Sequence, residues 1–220
     1  MIHPDTLSFL RSLKANNNRE WFQENREKFN EAKNDLETLA GKLIEKIAVF
    51  DPDIAELEPA RTLFRQYRDI RFSSDKTPYK IHMGAFFNRG GKHINNAGYY
   101  LHVEPGRSLY AAGFWMPESK DLAAIRQEID YNLDEWIELI SSPGVLKYFP
   151  SGIDMTERLK RPPKGYDKDN PALKYLQLKS FTLSTPVGDE TLTGRGFGEM
   201  LINAYKAASP MVKFLNRAIE

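Results

Sequence analysis

A chain of 220 residues, 41% of them hydrophobic and 28% charged, can enclose a sizeable core, which excludes a wholly disordered protein. Thirty-one basic residues stand against thirty acidic ones, and the net charge of +1 is too even for a protein that coats nucleic acid by counterion release. There is no cysteine, which removes disulfides, thiolate metal sites and thiol nucleophiles.

The N-terminus carries no basic region followed by an apolar run. No apolar stretch approaches the roughly 18 to 20 residues that a bilayer crossing needs. A cytoplasmic location without membrane association is therefore expected.

In chain order, Leu7, Leu10 and Leu13 recur at helical spacing over residues 5–15, and Asn16-Asn17-Asn18 reads as a turn whose last residue caps the next helix. From Arg19 to about Val49 the apolar positions Trp21, Phe22, Phe29, Ala32, Leu36, Leu39, Leu43 and Ile47 define a long amphipathic helical region. Asp51-Pro52-Asp53 ends it.

The period then shortens. Leu63 to Phe72, Ile81 to Asn88, Gly98 to Glu104 and Ser108 to Met116 read as strands, with turns at Gly90-Gly91 and Pro105-Gly106. Residues 119–141 return to helical spacing, broken near Tyr131-Asn132. A short helix follows Pro171, Leu178 to Val187 reads as one more strand, and closing helices interrupted near Pro210 complete the chain. Helices, then strands, then helices predict an α+β fold: a mainly antiparallel central sheet with N-terminal and C-terminal helices packed on it, in one domain over 1–220.

The densest chemistry lies between Arg61 and Lys80, where six basic residues face only Asp69 and Asp75. If Arg65 to Phe72 is a strand, period two puts Arg65, Tyr67, Asp69 and Arg71 on one ionic face. Guanidinium forks left over after pairing with Asp69 suit a carboxylate or phosphate. The residues assigned to such a site are Arg68, Asp69, Arg71, Lys76, Tyr79 and Lys80, without catalytic roles. The competing reading is that these ions satisfy one another and fasten a loop.

Arg68-Asp69-Ile70-Arg71-Phe72 with Asp75-Lys76-Thr77-Pro78-Tyr79-Lys80 resembles the signature of a widespread bacterial and fungal family of conserved hypothetical proteins, a domain of unknown function. Asn17 to Phe22, Gly98 to Val103, Leu159 to Tyr166 and Leu178 to Phe181 resemble further blocks of that family. The resemblance implies a full-length domain and brings with it no reaction, cofactor or catalytic residue.

Other constellations carry less. His102 and Glu104 lie two apart on a strand and share a face, and His82 or His93 could join them as ligands to a divalent metal. A hydrogen-bonded structural role is the commoner fate of a strand histidine, so no metal or cofactor is assigned. Ser73-Ser74 beside Asp75 reads as a capped turn. Gly194-Arg195-Gly196-Phe197-Gly198 lacks the spacing of a dinucleotide loop, and no phosphate-loop motif occurs.

The favoured function is binding of a small anionic ligand, with catalysis left open. The alternatives are a nucleic-acid or protein binding module built on the basic segments 61–80 and 158–164, and a purely structural ion network.

Overall fold

The computed structural model describes residues 1–220. Helix α1 (Pro4–Ala15) starts on Pro4, whose missing amide costs nothing in a first turn, and the His3 ring accepts a hydrogen bond from the Asp5 amide at 3.2 Å. Leu7, Leu10 and Leu13 are its buried stripe. Asn18 caps α2 (Arg19–Glu24) by accepting from the Trp21 amide at 2.9 Å.

The long amphipathic helical region from Arg19 onward has a break at Asn25, whose side chain donates to the Trp21 carbonyl. A second helix, α3 (Arg26–Ile47), begins there and buries Ala32, Leu36, Leu39, Ala40, Leu43, Ile44 and Ile47. The short α4 (Pro59–Thr62) leads toward the sheet.

Four strands, β1 (Met83–Asn88), β2 (Gly98–Val103), β3 (Leu109–Phe114) and β4 (Phe181–Pro186), form an antiparallel sheet in the order β1-β2-β3-β4. The β2–β3 hairpin turns where expected: the Arg107 amide donates to the Glu104 carbonyl at 2.9 Å, with Pro105 leading and Gly106 at φ 74°. That is the φ a type II turn demands of its third residue. Gly113, at φ 127°, lets the backbone of β4 come close, since a Cβ there would lie 2.0 Å from the Phe181 carbonyl oxygen.

Two expectations change. Leu63 to Phe72 is not a strand; only Leu63 and Tyr67 make bridges, to Ala85 and Tyr79, and beyond Arg68 the chain leaves the sheet edge because its acidic side chains bond locally. The closing segment is not interrupted at Pro210 either. Helix α10 (Phe197–Arg217) runs through it, because Ala204, Tyr205, Ala208 before and Met211, Val212, Phe214 after it are buried along one continuous stripe.

The remaining helices are α5 (Ser119–Tyr131), α6 (Leu133–Ser141), α7 (Pro143–Tyr148), α8 (Leu173–Leu176) and α9 (Asp189–Thr193); the break at Asn132 falls where the sequence places it. No helix is long and apolar enough to cross a membrane.

The chain forms two compact units. The first contains Met1–Lys92, Tyr100–Tyr110 and Pro186–Ile202; within it Phe22 stacks on Tyr79 at 3.9 Å and packs against Phe9 and Phe29. The second contains His93–Tyr99, Ala111–Thr185 and Asn203–Glu220; Trp136 is its centre, edge-on to Tyr175 and Phe181 and tilted against Phe214.

Candidate functional site

The residues singled out from the charged stretch divide into three environments, all in the first unit. Arg68 is partly buried and its fork is filled: it donates to the Asp75 carboxylate at 2.5 Å, to the Thr77 hydroxyl and carbonyl, and to the Ser73 hydroxyl at 3.4 Å. The Thr77 backbone and hydroxyl, then Arg68, hold Asp75 below the usual carboxylate range.

Asp69 does not pair with Arg68. It takes both donors of Arg71 at 2.9 and 2.6 Å and the Arg71 amide at 3.2 Å, a closed exposed pair that lowers the Asp69 carboxyl. Lys76 donates to the Ile70 carbonyl at 3.0 Å. Tyr79 is 1% exposed and belongs to the aromatic core. Lys80 turns elsewhere, its ammonium 5.5 Å above the Phe64 ring.

Lys80 leads to a second constellation. Four residues' travel separates Leu63 from Tyr67, but six separate their partners Ala85 and Tyr79, so the 79–85 side carries two extra residues. Such an irregularity re-aims side chains. The buried Gln66 holds it open: its amide donates to the carbonyl of Lys80 and, at 3.2 Å, to that of His82.

On β2, period two sends Tyr99, Leu101 and Val103 into the core at zero exposure and puts Tyr100, His102 and Glu104 on the opposite face. His82 meets that face. Its imidazole lies 4.4 Å from the His102 ring, and one ligand atom from each of His82, His102 and Glu104 falls within 4.8 Å of the others.

His102 is held from both sides, Nδ1 at 2.9 Å from the Tyr100 hydroxyl and Nε2 at 3.2 Å from Glu104 Oε2. Glu104 is fixed in turn by Ser108, whose hydroxyl accepts from the Glu104 amide and donates to its carbonyl. Gly84 makes room for Tyr100, since a Cβ there would lie 2.7 Å from the phenol oxygen.

Burial, with the His102 ring and the Lys80 ammonium beside it, pushes His82 down to about 4, and burial pushes the Tyr100 phenol up to about 12. Neither ring nitrogen of His82 makes a hydrogen bond. His93, the other candidate partner for His102 and Glu104, is exposed and outside the group.

Around this face the charge is positive. Lys80 is lowered by burial and then by Arg65 and Lys92, and the Lys92 ammonium donates to the Leu63 carbonyl. None of these three cations makes an ion pair. Glu104 also lines a cleft of about 290 Å³ with Arg11, Lys14, Ile81 and Asp189.

Sequence reasoning missed Gln66, Gly84, Phe64 and Lys92. Gln66, the one uncharged polar residue between Arg65 and Ile70 apart from Tyr67, carried the only available signal.

These features define an α+β protein with a histidine-bearing, cation-fringed sheet face. The chain belongs to the conserved hypothetical protein family DUF2461, whose family model matches residues 5–214. No curated protein and no solved structure matches it.

Proposed function

We propose that the protein binds a small anionic ligand carrying a phosphate or carboxylate group, at the cations Lys80, Arg65 and Lys92 beside the exposed ring of Phe64. The observation that carries this reading is the gathering of three like charges, Lys80 beside Arg65 and Lys92, none of them in an ion pair. Lys80 and Lys92 are partly buried and Arg65 is exposed beside them; like charges held near a partly buried ammonium raise the free energy of the empty site, and an anion lowers that cost.

Of the residues chosen from the sequence, Lys80 is the one this reading keeps at its centre. The forks of Arg68 and Arg71 already hold Asp75 and Asp69, which supports a loop-fastening role for Arg68, Asp69, Arg71 and Lys76.

The test is a thermal-shift series with inorganic phosphate, citrate, sugar phosphates, nucleotides and short oligonucleotides on the wild type and on Lys80→Gln/Arg65→Gln. A ligand at a hundred times its Kd adds about 2.7 kcal/mol of stability, or roughly 5 to 10 °C in Tm for a chain of this size. A shift in the wild type that the double variant loses supports the reading. No shift with any small anion, or an equal shift in both proteins, overturns it; a response to oligonucleotides alone transfers the cations to nucleic-acid binding.

A further inference from the structure

We infer that His82, His102 and Glu104 form a site for one divalent first-row transition-metal ion, with Tyr100 as the positioning residue for His102. This site does not depend on the anion reading, because it uses none of the three cations.

Donors bound at about 2.0 to 2.2 Å to a single tetrahedral or octahedral ion stand roughly 3.0 to 3.4 Å from one another. His102 Nε2 and Glu104 Oε2 are already 3.2 Å apart. The wider separations, within 4.8 Å, close when the His82 ring moves inward by up to about 1.5 Å. That ring is free to do so, because no hydrogen bond holds either nitrogen.

The outer partners fit as well. A ligating histidine ordinarily donates its second ring N–H to an oxygen that fixes its tautomer. The Tyr100 hydroxyl is placed for this at 2.9 Å from His102 Nδ1, and Gly84 leaves the space that holds it there. With the proton on Nδ1, Nε2 presents a lone pair toward Glu104. The Ser108 hydroxyl steadies the backbone of the carboxylate ligand.

A merely structural cluster explains His102, whose nitrogens are both engaged, but not His82, which lays a second imidazole 4.4 Å away with nothing to bond. Two imidazoles and one carboxylate suit zinc, iron(II), cobalt(II) or manganese(II) better than magnesium or calcium, which prefer oxygen donors. His82 and His102 are both partly exposed, so an ion can reach the group from solvent.

The experiment is titration of EDTA-treated, dialysed full-length protein with Co²⁺, followed by visible absorption, and with Zn²⁺ in competition. The wild type is expected to take up one equivalent of Co²⁺, displaced by Zn²⁺. His82→Ala and Glu104→Gln are expected to lose at least a hundredfold in affinity, Tyr100→Phe about ten- to a hundredfold, and His93→Ala nothing.

Circular dichroism melts establish that each variant is folded. Should Glu104→Gln fail to fold, His82→Ala still decides the matter, since its partly exposed ring has no hydrogen bond to lose. A wild type that shows no saturable Co²⁺ spectrum, or folded His82→Ala that binds as tightly as the wild type, overturns the site.

Discussion

Asn17 and Tyr79 are joined at two points: the Asn17 side-chain amide donates to the Tyr79 carbonyl at 2.9 Å, and its oxygen accepts from the Tyr79 amide at 3.1 Å. A side chain thus does the work of a neighbouring strand, and it fixes the residue whose ring stacks on Phe22. Asn17→Ala leaves two part-buried backbone groups unpaired. It should cost about 2 to 3 kcal/mol in urea denaturation; an unchanged midpoint would mean that water replaces both bonds.

His82 makes stability depend on pH in the metal-free protein. Its folded pKa of about 4 lies below the ordinary 6.5, so the unfolded chain binds the proton more readily. The histidine therefore gives no penalty above pH 6.5, and stability falls as pH drops through the window from about 6.5 to about 4. The full shift corresponds to an upper bound of roughly 3 kcal/mol, which solvent screening at a partly exposed ring reduces to about 1 to 2. Urea midpoints at pH 7 and pH 4.5 in EDTA should differ less in His82→Gln than in the wild type; equal slopes would count against the depressed value.

Gly84→Ala drives a methyl group into the Tyr100 phenol, with contacts of 2.7, 3.1 and 3.2 Å to the ring end. The expected loss is about 1 to 3 kcal/mol. Combining it with Tyr100→Leu should recover part of that loss, because the obstructing ring end is gone. Strict additivity of the two losses would show that the cost of the added methyl group does not come from the Tyr100 ring.

The two arginine forks of the 68–77 loop should behave unlike each other. Arg68→Lys gives up donors shared among Asp75, Thr77 and Ser73 and should lower Tm by about 3 to 5 °C. Arg71→Lys, whose only acidic partner is the exposed Asp69, should leave the melt unchanged within error. Equal effects would remove the distinction between a fastening and an exposed pair.

Where the signal was local, sequence sufficed: the Asn18 cap, the Pro105-Gly106 turn and the break at Asn132 each depend on neighbours a few residues away. Tyr100, His102 and Glu104 share a face by period two alone. The third member, His82, could not be chosen over His93 without two facts that no local pattern holds, the pairing of β1 with β2 and the two extra residues that Gln66 spans. The ionic strand face failed for a related reason. Period two holds only while a partner strand continues, and Asp69 and Asp75 instead bond residues two ahead of them, curling the chain into turns. Tyr79 looked like a site residue from its charged neighbours, although aromatic packing had already claimed it.

The margins of the sheet restrict how another chain could join this protein. Leu63 bridges Ala85 on the outer side of β1, with the Phe64 amide donating to Gly84, and Ile153 bridges Leu183 on β4, with the Asp154 amide donating to Thr182. Each outermost strand thus has part of its backbone polar row occupied by a short crossing segment. Blunted edges of this kind oppose strand-by-strand aggregation and leave little template for an extended peptide to lengthen the sheet. A macromolecular partner would have to read side chains, on a face or a loop, instead of borrowing the ladder.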